Sequence, residues 1–269
     1  MRFANNVYIV PQGGLGNILF QLSAGLYVAE TYRLSPVLVT SSLERYTNHS
    51  VKASLKISQS LFPCRSASFL FSRSSLRVIN RLPIINKVQI SEDLSNIRNG
   101  ARILNGYYQH FYLAMLYREK LYDAILLNYN HPLESHQHCK SGVIHVRRGD
   151  YFSRENISRY GVCDADYFQR GISFLRDSHG VKYFKIVSDD PDWCSKNIKG
   201  VDEYSGSKDE LSDFIEISRY KYKIISNSSF SAWAAYFGPD NGVVVAPKFW
   251  ESGLASLSHT IVNKDWILV

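Results

Sequence analysis

From residue 143 to residue 247 short β-branched runs take turns with longer amphipathic stretches: VIHVR, ADYFQRGISFLRDS, YFKIVS, DELSDFIEISRYKY, KIISN, SSFSAWAAYF and VVVAP. The short runs are too brief for helices and rich in Val and Ile, whereas the longer ones space their apolar residues along one helical face. Strands alternating with helices pair in parallel, because a parallel neighbour is reached only through a crossover long enough to hold a helix. The segment therefore predicts a doubly wound α/β unit.

The N-terminal stretch starts in the same manner. VYIV passes through the Gly-rich turn PQGGLGN into a helical pattern with Leu15, Leu19, Leu22 and Leu26 near one face, and PVLV follows at the spacing of a βαβ unit. Residues 42–100, with patches such as SASFLFSRSSLR, predict short helices and connecting loops. ARILNGYYQHFYLAMLYREKLYDAILLNY predicts a strand and one long amphipathic helix, and the polar NHPLESHQHCKS reads as a linker. The boundary accordingly falls near residue 140, giving domains 1–140 and 141–269.

A chain of 269 residues, 45% hydrophobic, can bury two such cores. No apolar stretch is long enough to cross a bilayer, and MRFANNVYIVPQGGLGN lacks a secretory apolar region, so the chain reads as mature and cytosolic. Cys64, Cys139, Cys163 and Cys194 form no C-x-x-C pair, which argues against a zinc ribbon or a thioredoxin-like site and leaves reduced thiols. The formal charge of +7 favours acidic partners: nucleic acid, an anionic membrane surface or a phosphorylated small molecule. It is not arranged in the aromatic-interleaved stripe of a nucleic-acid binder.

The sharpest local feature is Arg147–Arg148 at the end of VIHVR. Open parallel sheets bind ligands outside the carboxyl ends of their strands, and guanidinium grips phosphate with two parallel donors. Taken alone, the pair is more readily an interdomain salt bridge or a solvated loop. The next strands add Asp189 and Asp190 after YFKIVS, then Asn227, Ser228, Ser229 and Phe230 at a helix start, where backbone N–H groups meet anions. Each taken alone reads equally as an N-cap. Jointly they describe a nucleotide diphosphate site. GGLGN lacks the third glycine of a dinucleotide fingerprint, but Gly13, Gly14 and Gly16 permit close backbone approach and Asn17 opens a helix. Asp164 and Asp166 sit at a helix start and read as a cap, and His131, His136, His138 and Cys139 match no tetrahedral metal spacing.

HVRRGDY, SDD, NSSFSAWAA and APKFW, with GGLGNILFQ and GYYQ, resemble the α-1,2-fucosyltransferases of glycosyltransferase family 11, in order from residue 13 to about residue 250. The resemblance implies an α/β fold of two facing Rossmann-like domains (the GT-B architecture), an acceptor side in residues 1–140 and a donor side in 141–269. It implies GDP-β-L-fucose as donor, inversion to an α-linkage on the 2-hydroxyl of a terminal β-galactoside in a surface glycan such as O-antigen, and no metal or other cofactor. On the donor side it implies Arg148 on the β-phosphate with Arg147 beside it, His145, Asp189 and Asp190 near guanine and ribose, and Asn227, Ser228, Ser229 and Phe230 on the phosphate side. From the other domain it implies Asn17 facing the reacting sugar, with Gly14 and Gly16 of its loop among the donor-binding residues.

Two departures from that pattern are Ile18, where the family has Gln after Gly-Asn, and Ala232, where it has Trp. Asp150 adjoins the arginines, whose charge makes it a poor base and suits it to orienting Arg148, and Glu155 is close in sequence. The rival readings are transfer of another nucleotide-activated sugar, a non-catalytic GDP-sugar-binding module and a nicotinamide oxidoreductase. Positive charge suits contact with an inner membrane face carrying a lipid-linked acceptor.

Overall fold

The computed structural model describes residues 5–39, 56–62, 64–65, 86–88, 102–129, 140–149, 163–206, 209–250 and 260–269. It divides into two compact units, Met1–Tyr129 and Asn130–Val269. The linker residues 130–139 lie outside the described residues.

The first unit holds a five-stranded parallel sheet in the order β3-β2-β1-β5-β4, made of β1 (Asn6–Ile9), β2 (Ser35–Val39), β3 (Cys64–Arg65), β4 (Asn86–Val88) and β5 (Arg102–Leu104). Helix α1 (Leu15–Tyr32) joins β1 to β2. The leucine spacing predicts one apolar face, yet 13 of the 18 residues of α1 are buried. A helix that is apolar around most of its circumference is enclosed. Gly25 lets it close on β1, since any Cβ there would collide with the Ile9 side chain.

The predicted long helix is two: α2 (Phe111–Leu116) and α3 (Arg118–Leu127). They part at Tyr117, whose φ of −114° and ψ of 11° leave the helical range. Its buried side chain is tied to α1, the hydroxyl donating to Glu30 Oε2 at 2.7 Å.

The second unit has a six-stranded parallel sheet in the order β11-β10-β9-β6-β7-β8: β6 (Ser141–Val146), β7 (Tyr183–Ser188), β8 (Glu203–Gly206), β9 (Tyr222–Ile225), β10 (Val243–Ala246) and β11 (Ile267–Leu268). Its helices are α4 (Ala165–His179), α5 (Pro191–Asn197), α6 (Glu210–Arg219) and α7 (Ser229–Tyr236). Asp164 caps α4, accepting from Tyr167 N at 2.7 Å, and Gly180 ends it at φ 65°. Asp209 caps α6 through Leu211 N and Ser212 N.

Alternate residues of β6 serve opposite faces. Ile144 and Val146 join Phe168, Ile172, Leu175, Phe184, Ile186 and Ile224 in one core cluster, while His145 meets α7 on the other side. Each enclosed Ile, Leu or Phe contributes about 1.5–3 kcal/mol.

The strand orders carry the functional geometry. From β6 the chain moves outward through β7 and β8, then returns to place β9 on the other flank of β6. Connections leaving β6 and β9 therefore diverge and open a crevice at the carboxyl ends, the usual ligand position in such sheets. The first sheet has no such reversal: β1 to β2 and β4 to β5 step in the same direction across it, and β5 comes to lie beside β1.

Candidate functional site

In the second unit the crevice is built by register. β6 and β7 align with Val146 opposite Ser188, so the residues that follow, Arg147–Arg148 and Asp189–Asp190, emerge side by side. Asp189 accepts from the backbone N–H of Arg148 (2.9 Å, Oδ1) and of Gly149 (3.1 Å, Oδ2), and Oδ2 also pairs with Arg147 Nη1 at 3.1 Å. Gly149 leaves room for this arrangement: a Cβ there would lie 2.7 Å from Asp189 Oδ2 and would have to displace that carboxylate.

Arg148 is held more closely. Its Nε donates to Asp190 Oδ2 at 3.1 Å and its guanidinium carbon lies 3.5 Å from the centroid of the Trp193 ring, with the side chain 11% exposed. Asp190 caps α5 with its other oxygen, accepting from Trp193 N at 3.1 Å, and its own N–H donates to Ser188 Oγ at 2.9 Å. One carboxylate thus anchors both the helix that carries Trp193 and the guanidinium that stacks on it. Arg147, at 39% exposure, is the less confined of the two. The resemblance assigns Asp189 and Asp190 to guanine and ribose; here their oxygens hold the arginines and the adjoining backbone.

The ends of β6 and β9 are stitched together by Ser226. Its hydroxyl donates to His145 O at 2.9 Å and accepts from Arg147 N at 3.0 Å. His145 is 7% exposed, hydrogen-bonded through Nδ1 to the Ser231 hydroxyl and tilted over the Phe230 ring at 5.2 Å. Burial, then the charge of Arg147, pushes its pKa down to about 3. The ring is therefore neutral at ordinary pH, which suits a hydrogen-bonding strut and not a cationic phosphate ligand or a base poised near neutrality.

Ser228 precedes α7 without capping it by its side chain, and Ser229 and Phe230 form the first turn, both half-buried. Asn227 is buried: its Nδ2 donates to Trp250 O at 3.1 Å, tying the APKFW segment to the end of β9. Among the described residues no group of three or more His, Cys, Asp or Glu side chains gathers to hold a metal, and Asp164 is occupied as a cap. Asp150, Glu155, His131, His136, His138 and Cys139 lie outside the described residues.

In the first unit the loop after β1 is bolted to α1 by the buried Gln21. Its Oε1 accepts from Gln12 N at 2.9 Å and its Nε2 donates to Gln12 O at 3.0 Å. Gly13 has φ 82°, Gly14 occupies the N-cap position of α1 and is exposed, and Gly16 is buried in the first turn. Asn17, half-buried, accepts at Oδ1 from Gln109 Nε2 at 2.8 Å.

Sequence reasoning did not single out Trp193, Ser226, Ser231, Gln21 or Gln109. Trp193 had a signal, in that Asp-Pro-Asp-Trp after a strand end puts an aromatic one turn into a capped helix. The others act through tertiary pairing.

The family model for Glycosyl transferase family 11 matches residues 101–269. The chain belongs to that family. Among relatives of this family 11 chain, an α-1,2-colitosyltransferase of Escherichia coli is 28% identical over 88% of this chain and 90% of its own length. The O-antigen biosynthesis glycosyltransferase WbnK of Escherichia coli is 23% identical over 92% of this chain and 95% of its own. The galactoside 2-alpha-L-fucosyltransferase SEC1 of Bos taurus is 33% identical over 38% of this chain and 30% of its own. In this family 11 transferase both departures from the family pattern are interior: Ile18 is 1% and Ala232 0% exposed. No helix among the described residues is long and apolar enough to cross a membrane.

Proposed function

We propose that the chain is an inverting α-1,2-fucosyltransferase that moves L-fucose from GDP-β-L-fucose to the 2-hydroxyl of a terminal β-galactoside in a surface glycan such as an O-antigen. The observation that carries this reading is Arg148, locked between Asp190 and Trp193 at the carboxyl end of β6, beside the strand-order reversal. As the bond between C1 and the β-phosphate oxygen breaks, its electron pair stays on that oxygen. The acceptor hydroxyl forms the new bond to C1 from the opposite face and gives up its proton to a general base or to solvent, and the sugar passes through an oxocarbenium-like state. Donors held in place before charge develops stabilise that transition state more than the ground state. Arg148, Arg147 and the first turn of α7 supply such donors, with no metal demanded by this arrangement. Asp150 flanks the arginines and Asn17 serves the sugar side.

The domain reading assigns residues 1–140 to the acceptor and 141–269 to the donor, with peripheral contact at the inner membrane face when the acceptor is lipid-linked. The relatives named for α-1,2 transfer and for galactoside acceptors support the linkage and the acceptor class. A second reading, transfer of colitose, is favoured by the colitosyltransferase that aligns over most of the chain. Colitose is L-fucose without its 3-hydroxyl, so the two donors separate on one hydrogen-bonding group. The test is incubation with GDP-fucose and GDP-colitose in parallel against a panel of β-galactosides, with and without EDTA, followed by mass and linkage analysis. Fucosylation at the 2-hydroxyl that survives EDTA is the expected result; transfer of colitose alone, or at another hydroxyl, overturns the reading.

A further inference from the structure

We propose that Gln109 is a positioning residue that fixes the direction of the Asn17 carboxamide, so that the carboxyl ends of β1 and β5 offer Asn17 Nδ2 as donor and Gln109 Oε1 as acceptor to neighbouring hydroxyls of a pyranose ring. The inference deepens the transferase reading and rests on it for the identity of the sugar. β1 and β5 pair in parallel with Ile9 opposite Leu104, so the segments that follow those strands leave from the same end of the sheet, and they carry Asn17 and Gln109. Gln109 Nε2 donates to Asn17 Oδ1 at 2.8 Å, which leaves Asn17 Nδ2 and Gln109 Oε1 with no further hydrogen bond among the described residues. A donor beside an acceptor is the complement of vicinal sugar hydroxyls, each of which both gives and receives.

Three details separate this from a loop fastening. The loop is already secured by Gln21, which holds Gln12 through both its N–H and its carbonyl, so the Asn17–Gln109 bond is not what keeps the loop in place. Tyr108, the residue that sets the direction of Gln109, is held at φ 50°, a left-handed conformation costly for a bulky aromatic and found where surrounding structure imposes it. Gly13, at φ 82°, keeps its Cα over the amide: a Cβ there would stand 2.5 Å from Asn17 Nδ2. The carboxamide is thus oriented by Gln109, and the absence of a Cβ on Gly13 leaves room for its Nδ2.

The test uses the full chain and four readouts: the dissociation constants of a methyl β-galactoside in the presence of GDP, of GDP-fucose and of GDP, and the thermal midpoint. Gln109→Glu can only accept from Asn17, which turns the amide over and presents Oδ1; sugar binding should weaken roughly tenfold or more while GDP affinity and the midpoint hold. Asn17→Asp keeps the Gln109 bond but removes the Nδ2 donor and should show the same loss. Gln109→Lys, which still donates to Asn17 Oδ1, should retain more binding than Gln109→Glu although it is the larger change. Weakening confined to the galactoside identifies the acceptor ring, and weakening of GDP-fucose relative to GDP identifies the donor ring. Unchanged sugar binding in Gln109→Glu, or a loss that tracks a lowered midpoint in every variant, overturns the proposal. A wild-type chain that binds sugar but transfers none overturns the transferase reading alone; one that binds no sugar overturns this inference.

Discussion

Replacing Arg148 by lysine keeps the charge and removes what holds it. The change abolishes the Nε bond to Asp190, a charge-assisted contact worth about 1.5–3 kcal/mol. It also removes the planar stack on Trp193, at the stronger end of the cation–π range of about 0.5–2 kcal/mol because the side chain is only 11% exposed. Lysine recovers part of this as a point donor, leaving a net loss of roughly 2–4 kcal/mol in the placement of positive charge against the leaving phosphate. At about 1.4 kcal/mol per tenfold, turnover should fall roughly thirty- to a thousandfold. Arg147→Lys is the matched control: an ion pair at 39% exposure is worth about 1 kcal/mol or less, so its turnover should fall by about fivefold at most. Initial rates of GDP release with saturating donor and acceptor measure both, with thermal midpoints to confirm folding. An Arg148→Lys enzyme that works within fivefold of wild type, or an Arg147→Lys enzyme that is the more damaged, refutes the reasoning.

Trp193→Leu removes the stacking surface alone and should lower turnover roughly two- to thirtyfold, with Trp193→Phe between it and wild type in the same rate assay. Gly149→Ala must push the Asp189 carboxylate away, costing about 1.5–3 kcal/mol of loop order. Isothermal titration should then show GDP binding weakened roughly ten- to a hundredfold. His145, pushed down to about 3, binds fewer protons in the folded chain than in the unfolded one between that value and about 6.5. Its stabilising share is therefore complete above that window and drains away as pH falls through it. Denaturant titrations of His145→Gln should accordingly lose stability less steeply on acidification, by up to about 1.4 kcal/mol per pH unit, and an unchanged acid slope would sink the assignment.

The elements of the second unit were legible because each carries its own punctuation. Asp164 and Asp209 cap α4 and α6, Gly180 closes α4, and the period changes where strand gives way to helix. Arg147 and Arg148 stood out at a strand end for the same local reason. What those arginines touch was not legible, because the alignment of Val146 with Ser188 is a property of two strands and appears in neither. The ion pairs of Asp189 and Asp190 with those arginines depend on the same alignment, so the sequence places the four residues at strand ends without showing that they pair. The break at Tyr117 escaped because the periodicity of α2 and α3 is continuous in sequence and the bond that accompanies the break comes from Glu30 on another helix. The leucine stripe of α1 likewise reported one buried face but not the packing that encloses the rest. Asn17 was visible from its motif, whereas Gln109 sits ninety-two residues away and meets it only through the pairing of β1 with β5.

Asp190 serves two masters, the opening turn of α5 and the guanidinium of Arg148. A change that unwinds that seven-residue helix would be felt at the leaving phosphate even if every group near the sugar were intact. Substitutions there trade folding against chemistry with no route that spares either, so diversification toward new glycans should accumulate elsewhere in the chain while this corner stays unaltered.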